Sequence, residues 1–116
     1  MARVLLASII VLALSSAACG GGGGSDCTAK KATKLTGTLA VKNFAFSPNC
    51  FTVASGSIIS LTNDDPRGHT FTVRDADVDV VLPARGGTGK ATAPAPGKYD
   101  FYCRLHPGMT GVIIVT

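Results

Sequence analysis

The stretch that most constrains this chain is Tyr99-Asp-Phe-Tyr-Cys103-Arg-Leu-His106-Pro-Gly-Met109. A thiol, an imidazole and a thioether lie within seven residues, directly after a β-type run. Two residues separate Cys103 from His106, and two more separate His106 from Met109. That spacing makes a compact loop able to fold around one ion. Pro107 fixes a backbone angle and cannot continue a strand ladder, and Gly108 permits a tight turn. So short a loop cannot surround an ion alone. The chain has one other histidine, His69, well upstream, so a second imidazole has a single source.

The donor types narrow the ion. Cys and Met are soft sulfur ligands and His is a borderline nitrogen one, a mixture suited to copper in both its Cu(I) and Cu(II) states. Two His and one Cys in a plane with a weak axial Met form the blue-copper arrangement, and His69, Cys103, His106 and Met109 supply that set. Zinc in a Cys/His₂ site is an alternative, but a thioether suits it poorly. Each residue also has a plain structural role open to it. Met109 can pack a loop, His69 can be a satisfied strand histidine and Cys103 a small buried hydrophobe. Their joint spacing after this strand pattern favours the metal.

Here the sequence resembles the cupredoxins, the small blue copper proteins that include plastocyanin, amicyanin and pseudoazurin. The resemblance covers residues 38–116. It rests on Asn43-Phe-Ala-Phe-Ser-Pro48, Phe51-Thr-Val-Ala-Ser-Gly56, Asn63 with His69, and Pro96-Gly-Lys-Tyr-Asp-Phe-Tyr-Cys103 through Gly111-Val-Ile-Ile-Val115. The Cys-x₂-His-x₂-Met spacing is similar to amicyanin, and the Tyr-x-Phe-Tyr-Cys lead-in to plastocyanin. The resemblance implies a Greek-key β-sandwich and the ligands His69, Cys103, His106 and Met109. Many relatives place Asn directly after the first His, where it ties the ligand loops together. Here that residue is Thr70, whose hydroxyl is the available substitute.

The sandwich does not begin at residue 1. Arg3 precedes an apolar run over residues 4–14, then Ser15-Ser-Ala-Ala18 and Cys19. This is the pattern of an export signal, and the run is too short for a stable transmembrane helix. Small residues before a Cys resemble a bacterial lipoprotein signal, which predicts a signal peptide over residues 1–18 and lipidation of Cys19. Ordinary cleavage nearby is the alternative. Residues 20–24 are glycine and read with Ser25 as a flexible spacer behind an anchor. The polar residues 26–34 extend it, which leaves residues 35–116 as the copper-binding domain. Export implies an oxidising compartment, where Cys27 and Cys50 can form a disulfide. Metal ligation by either is the alternative, though neither has a His nearby.

From residue 35 the chain reads as short strands between turns, without helical periodicity. Strands are expected over residues 35–46, 50–54, 57–62, 69–74, 90–93, 98–103 and 111–116. Residues 75–83 read as an acidic irregular segment holding a short strand or a helical turn. Several short strands at such spacing predict a two-sheet sandwich. Strand alternation puts Tyr99, Phe101 and Cys103 on one face and Asp100 and Tyr102 on the other. The last strand is apolar on both faces and is expected to be central.

The resemblance implies single-electron transfer between a donor and an acceptor redox protein by an exported monomer. The edge of the His106 ring, flanked by Leu105 and Pro107, is the expected electron port, with Pro66 and Met109 contributing to its apolar surround. Tyr102 offers a second exit or is a plain surface aromatic. A copper carrier on the cell surface is the rival binding role. Enzymatic function has no support, since no nucleophile has an adjacent base and no histidine is spare. The net charge of +4 falls to +3 once Arg3 is removed, and the lysines are scattered. No basic run is dense enough for nucleic acid.

Overall fold

The computed structural model describes residues 26–116. The expected export signal, the Cys19 lipidation site and the glycine spacer lie outside the described residues. Ten strands form two sheets, and no helix occurs among the described residues. The strands are β1 (Thr33–Lys34), β2 (Thr38–Lys42), β3 (Ala45–Ser47), β4 (Cys50–Val53), β5 (Ile58–Asn63), β6 (His69–Val73), β7 (Val78–Leu82), β8 (Gly87–Thr92), β9 (Gly97–Tyr102) and β10 (Thr110–Val115). The larger sheet runs β1-β4-β10-β9-β6-β7 and the smaller β3-β2-β5-β8. The chain crosses between them repeatedly, which gives the two-sheet sandwich the sequence predicts.

The core lies between the inner faces. Leu39, Val41, Phe46, Ile59 and Leu61 come from the smaller sheet, and Phe51, Phe71, Val73, Phe101 and Ile113 from the larger. Fully burying one such side chain stabilises by about 1.5–3 kcal/mol. Phe101 is the hub. Its ring centroid lies 5.0 Å from Phe46, 5.6 Å from Phe51 and 5.0 Å from Phe71. Aromatic pairs at such spacing add about 0.5–1.5 kcal/mol beyond their buried area. Cys103, two residues on and directly after the end of β9, is therefore fixed to the best-packed part of the molecule.

The alternation expected in β9 holds: Phe101 and Cys103 are buried and Tyr102 is half-buried. β10 is central, pairing antiparallel with β9 and parallel with β4. The strand expected over residues 90–93 is the second half of β8, an edge strand of the smaller sheet.

Three expectations need correction. The single strand over residues 35–46 is a hairpin: β2 and β3 pair antiparallel, with Lys42 opposite Ala45. Asn43 and Phe44 between them have φ of 53° and 56°. Positive φ at both central residues is the type I′ geometry, whose twist matches the flanking strands. Residues 75–83 contain a regular strand, β7, paired along its length with β6. Val78, Val80 and Leu82 alternate inward while Asp77, Asp79 and Val81 face outward, and the acidic residues mask that pattern. Finally, residues 26–34 do not all extend a spacer. Cys27 is buried and disulfide-bonded to Cys50, and β1 pairs parallel with β4. The ordered fold thus reaches back to Cys27, ahead of residue 35.

Candidate metal centre

Two elements deliver the donor groups. β6 opens at His69, and the loop from β9 to β10 carries Cys103, His106 and Met109. That loop is closed by its own backbone. The Cys103 N–H donates to the Met109 carbonyl at 3.0 Å, and the Met109 N–H donates to the His106 carbonyl at 3.1 Å. The His106 N–H points to the Cys103 carbonyl at 3.4 Å. Pro107 has no N–H and so brings no donor of its own that the turn must match.

The structure brings His69, Cys103 and His106 into one cluster. His69 Nδ1 lies 3.0 Å from His106 Nδ1. Cys103 Sγ lies 3.8 Å from His69 Nδ1 and 3.6 Å from His106 Nδ1. A point equidistant from these three atoms lies about 2.0 Å from each, close to the metal–nitrogen distance of a first-row ion. Calcium–oxygen distances are longer, about 2.3–2.6 Å, and calcium takes oxygen ligands. One soft sulfur and two imidazoles at this spacing fit copper. Met109 is buried in the same loop, with its backbone bonded to Cys103 and His106. His69 and Cys103 are 0% and 1% exposed, which leaves His106, half-buried, as the donor nearest solvent.

The surroundings of the sulfur are polar on one side. The Thr70 N–H points at Cys103 Sγ from 3.3 Å, and hydrogen bonding at that sulfur tunes the potential of a copper–thiolate centre. The Thr70 hydroxyl accepts the Arg104 N–H at 2.8 Å. It also lies 3.0 Å from the Thr72 hydroxyl, which donates to Asp79 Oδ1 at 2.7 Å. Arg104 Nε reaches the same oxygen at 2.8 Å. The Arg104 guanidinium and the Thr72 hydroxyl together hold the Asp79 carboxyl below its ordinary pKa. Arg104 is held above its ordinary value by the same partner. Both side chains are substantially exposed, so the pair contributes little to stability by itself.

On the far side of His69 stands Asp65, a residue the sequence reading passed over. It is 4% exposed, and its Oδ2 accepts the His69 Nε2–H at 2.8 Å. Burial opposes ionisation of Asp65, but bonds from the Phe44 amide, the His69 ring and the Asn43 amide outweigh it and hold its carboxyl low. With the proton on Nε2, His69 Nδ1 presents its lone pair to the cluster. The available signal was an acid four residues before a candidate ligand, the kind of partner that metal-bound histidines commonly have.

Phe44 lies in the Asn43–Pro48 stretch that carries the resemblance, where no site role is expected of it. Its ring sits edge-on to His69 and His106, with centroids 5.2 Å and 5.1 Å away. It is 46% exposed and Leu105 55% exposed, and Pro66 and Pro107 are exposed too. The apolar surround of the His106 edge is therefore built with Phe44. Met109 faces inward at 3% exposure and does not belong to that surface, a correction to the sequence reading. Tyr102 is half-buried under the Arg74 guanidinium, 5.0 Å from its ring centroid.

Comparison with known proteins agrees with this geometry. The cupredoxin-like domain family matches residues 4–115. The chain is 39% identical over 84 residues to the chloroplastic plastocyanin of Oryza sativa subsp. indica, an alignment covering 60% of this chain and 54% of that one. It thus spans about half the length of that relative. Among solved structures it is similar to a mutant plastocyanin of fern, with a TM-score of 0.59 and 24% identity, covering 69% of this chain and 100% of that one. This second likeness is one of fold. A copper-containing nitrite reductase from Thermus scotoductus SA-01 is also similar, with a TM-score of 0.58 and 25% identity over 71% of this chain, but only 22% of the reductase is covered. Fold, donor cluster and family match converge: this chain belongs to the cupredoxin-like family.

Proposed function

We propose that this chain is an exported type 1 copper protein that passes single electrons between a donor and an acceptor redox protein. The observation that carries the reading is the convergence of His69 Nδ1, His106 Nδ1 and Cys103 Sγ. Copper supplies a one-electron Cu(II)/Cu(I) couple when bound. Cys103 would provide the thiolate, His69 and His106 the two imidazoles, and Met109 a thioether sulfur. Each is fixed before any ion arrives. β9 is anchored by Phe101, the ligand loop is closed by its backbone, and Asp65 orients His69. Donors that move little between two charge states keep reorganisation small. His106 reaches the surface between Leu105, Pro107 and Phe44, an apolar exit where a partner can dock without displacing tightly held water.

Burial of His69 and Cys103 favours electron transfer over a surface copper carrier, which needs donors open to exchange. The likeness to a nitrite reductase covers a small part of that enzyme. Both histidines of this chain are used in one cluster, so none is left for a second metal. Within the same reading, Cys19 carries a lipid that tethers the domain to the outer face of a bacterial membrane.

Adding Cu(II) to the purified protein tests the site. An intense thiolate-to-copper band in the red, absent from Cys103→Ser, is expected. A colourless protein that takes up zinc in preference would overturn the reading. The mass of the mature N-terminus separately decides the lipid.

A further inference from the structure

Asp65 lies on the loop between β5 and β6 and is held from every side. Its Oδ1 accepts the Asn43 N–H at 2.7 Å, and its Oδ2 accepts the Phe44 N–H at 2.8 Å and the His69 Nε2–H at 2.8 Å. Its own N–H donates to Asn63 Oδ1 at 3.0 Å, and its carbonyl accepts the Arg85 N–H at 2.8 Å. Asn63 is fully buried and in turn donates to the carbonyls of Arg67, Leu82 and Pro83. Among the described residues no lysine or arginine forms an ion pair with Asp65. A carboxylate buried this deeply is tolerated only when its lone pairs are met by donors. Here the donors are two amides of one turn and one imidazole.

We propose that Asp65 is a positioning residue with two effects on the centre, an inference that rests on the copper reading above. It fixes His69 in the tautomer that aims Nδ1 at the cluster, and its charge, acting through that ring, favours the oxidised ion over the reduced one. The physical reason is simple. An imidazole that donates to a carboxylate becomes a more basic ligand, and a nearby negative charge attracts the ion carrying the greater positive charge more strongly. The same carboxylate pins the Asn43–Phe44 turn, which places the Phe44 ring against both histidines. One side chain thereby sets the orientation of a donor, the charge behind it and the apolar cover in front of it.

The test compares the wild-type protein with Asp65→Asn, each loaded with copper. At a fixed ambient potential the variant is expected to hold at least about tenfold more Cu(I) relative to Cu(II), an upward shift of about 59 mV for one electron. Its thiolate band should persist, since no ligand is changed. Loss of thermal stability with an unshifted potential would reduce Asp65 to a structural role and overturn the proposal. A second measurement needs no variant. In the nitrogen-15 spectrum of the metal-free wild-type protein, His69 should carry its proton on Nε2 in slow exchange with water. A proton on Nδ1, or rapid exchange at Nε2, would overturn the proposal even if Asp65→Asn fails to fold. Absence of a thiolate–copper band in the wild type would instead defeat the copper reading, while the tautomer measurement still reports on the Asp65–His69 bond.

Discussion

The Thr70 hydroxyl accepts the Arg104 amide at 2.8 Å, which joins the residue after His69 to the residue after Cys103. The direction of this bond follows from its neighbours. An ionised Asp79 can only accept, so Thr72 donates to it, and the Thr70 proton goes to the Thr72 oxygen. The Thr70 oxygen is then free to accept from Arg104. Thr70→Val removes that acceptor while keeping the shape of the side chain. It should destabilise the fold by about 1–3 kcal/mol, because an amide is left without its partner. The bond from the Thr70 N–H to Cys103 Sγ is a backbone one and survives. Urea unfolding should therefore show the loss while the thiolate–copper band remains, and Thr70→Ser should restore most of the stability.

The same network predicts an acid limb. Asp79 is held below its ordinary pKa of 3.8 by Arg104 and Thr72. The unfolded chain binds this proton more readily than the folded one, so the stabilisation is complete above the unfolded value and fades as pH falls through the folded one. Because Asp79 and Arg104 are 49% and 42% exposed, solvent screens the pair and the effect is at the small end for an ion pair. Asp79→Asn should lower stability at pH 7, and the difference from wild type should shrink as pH falls below the ordinary carboxylate range. Denaturant midpoints at pH 7 and in acid check this, and added salt should shrink the difference at pH 7.

How much of this was legible in the sequence depends on whether the cause was local. The ligand loop is contiguous, so its spacing announced it, and alternation in β9 correctly placed Phe101 and Cys103 inward. β10 was legible because an apolar strand on both faces must be covered on both. The β2–β3 hairpin was not. Phe44 is no turn former, and its positive φ is sustained by Asp65, 21 residues away, which accepts the amides of both Asn43 and Phe44. β1 is two residues long and carries no pattern at all; the Cys27–Cys50 bond and pairing with β4 define it. Asp65 itself looked like one more polar residue in an acidic loop. Its importance lies in burial and in its donors, two amides of a turn more than twenty residues back and the His69 imidazole, of which only the four-residue spacing to His69 is visible in the sequence.

If electrons leave through the His106 edge, a charge placed beside it should slow transfer without altering the centre. Leu105 is 55% exposed and adjacent to His106. In self-exchange between two copies of the protein, Leu105→Glu sets two carboxylates face to face. Repulsion between such charges near a surface is on the order of 1–4 kcal/mol, so the exchange rate should fall by at least about fivefold. Line broadening in NMR spectra of mixed oxidised and reduced protein gives the rate. The visible spectrum should be unchanged, and high salt should recover part of the rate.

The Cys27–Cys50 disulfide ties the chain ahead of β1 to the first residue of β4, closing a loop with a sequence separation of 23. Its loss restores freedom mainly to the unfolded chain, with a typical effect of about 2–4 kcal/mol. The double variant Cys27→Ser/Cys50→Ser should lose that much stability in urea titration. Neither residue touches the His69, Cys103 and His106 cluster, so copper binding and colour should be retained below the unfolding transition.

Gly111 gives the sharpest test of how packing reaches the site. It sits in β10 opposite Phe101, and an added Cβ would fall on the Phe101 ring and lie 2.6 Å from the Asn49 carbonyl oxygen. That oxygen already accepts the Val112 N–H at 2.8 Å, so the backbone cannot easily withdraw. The ring is confined by Phe46, Phe51 and Phe71. Gly111→Ala must therefore displace β9 against β10, and overpacking of this kind destabilises by about 1–3 kcal/mol. Cys103 follows two residues after Phe101, so the strain should also move the thiolate–copper band. Gly108 has nothing within 4 Å of its added Cβ, and Gly108→Ala should change stability by less than about 0.5 kcal/mol. Equal effects of the two substitutions would mean that the Phe101 packing does not govern the position of Cys103.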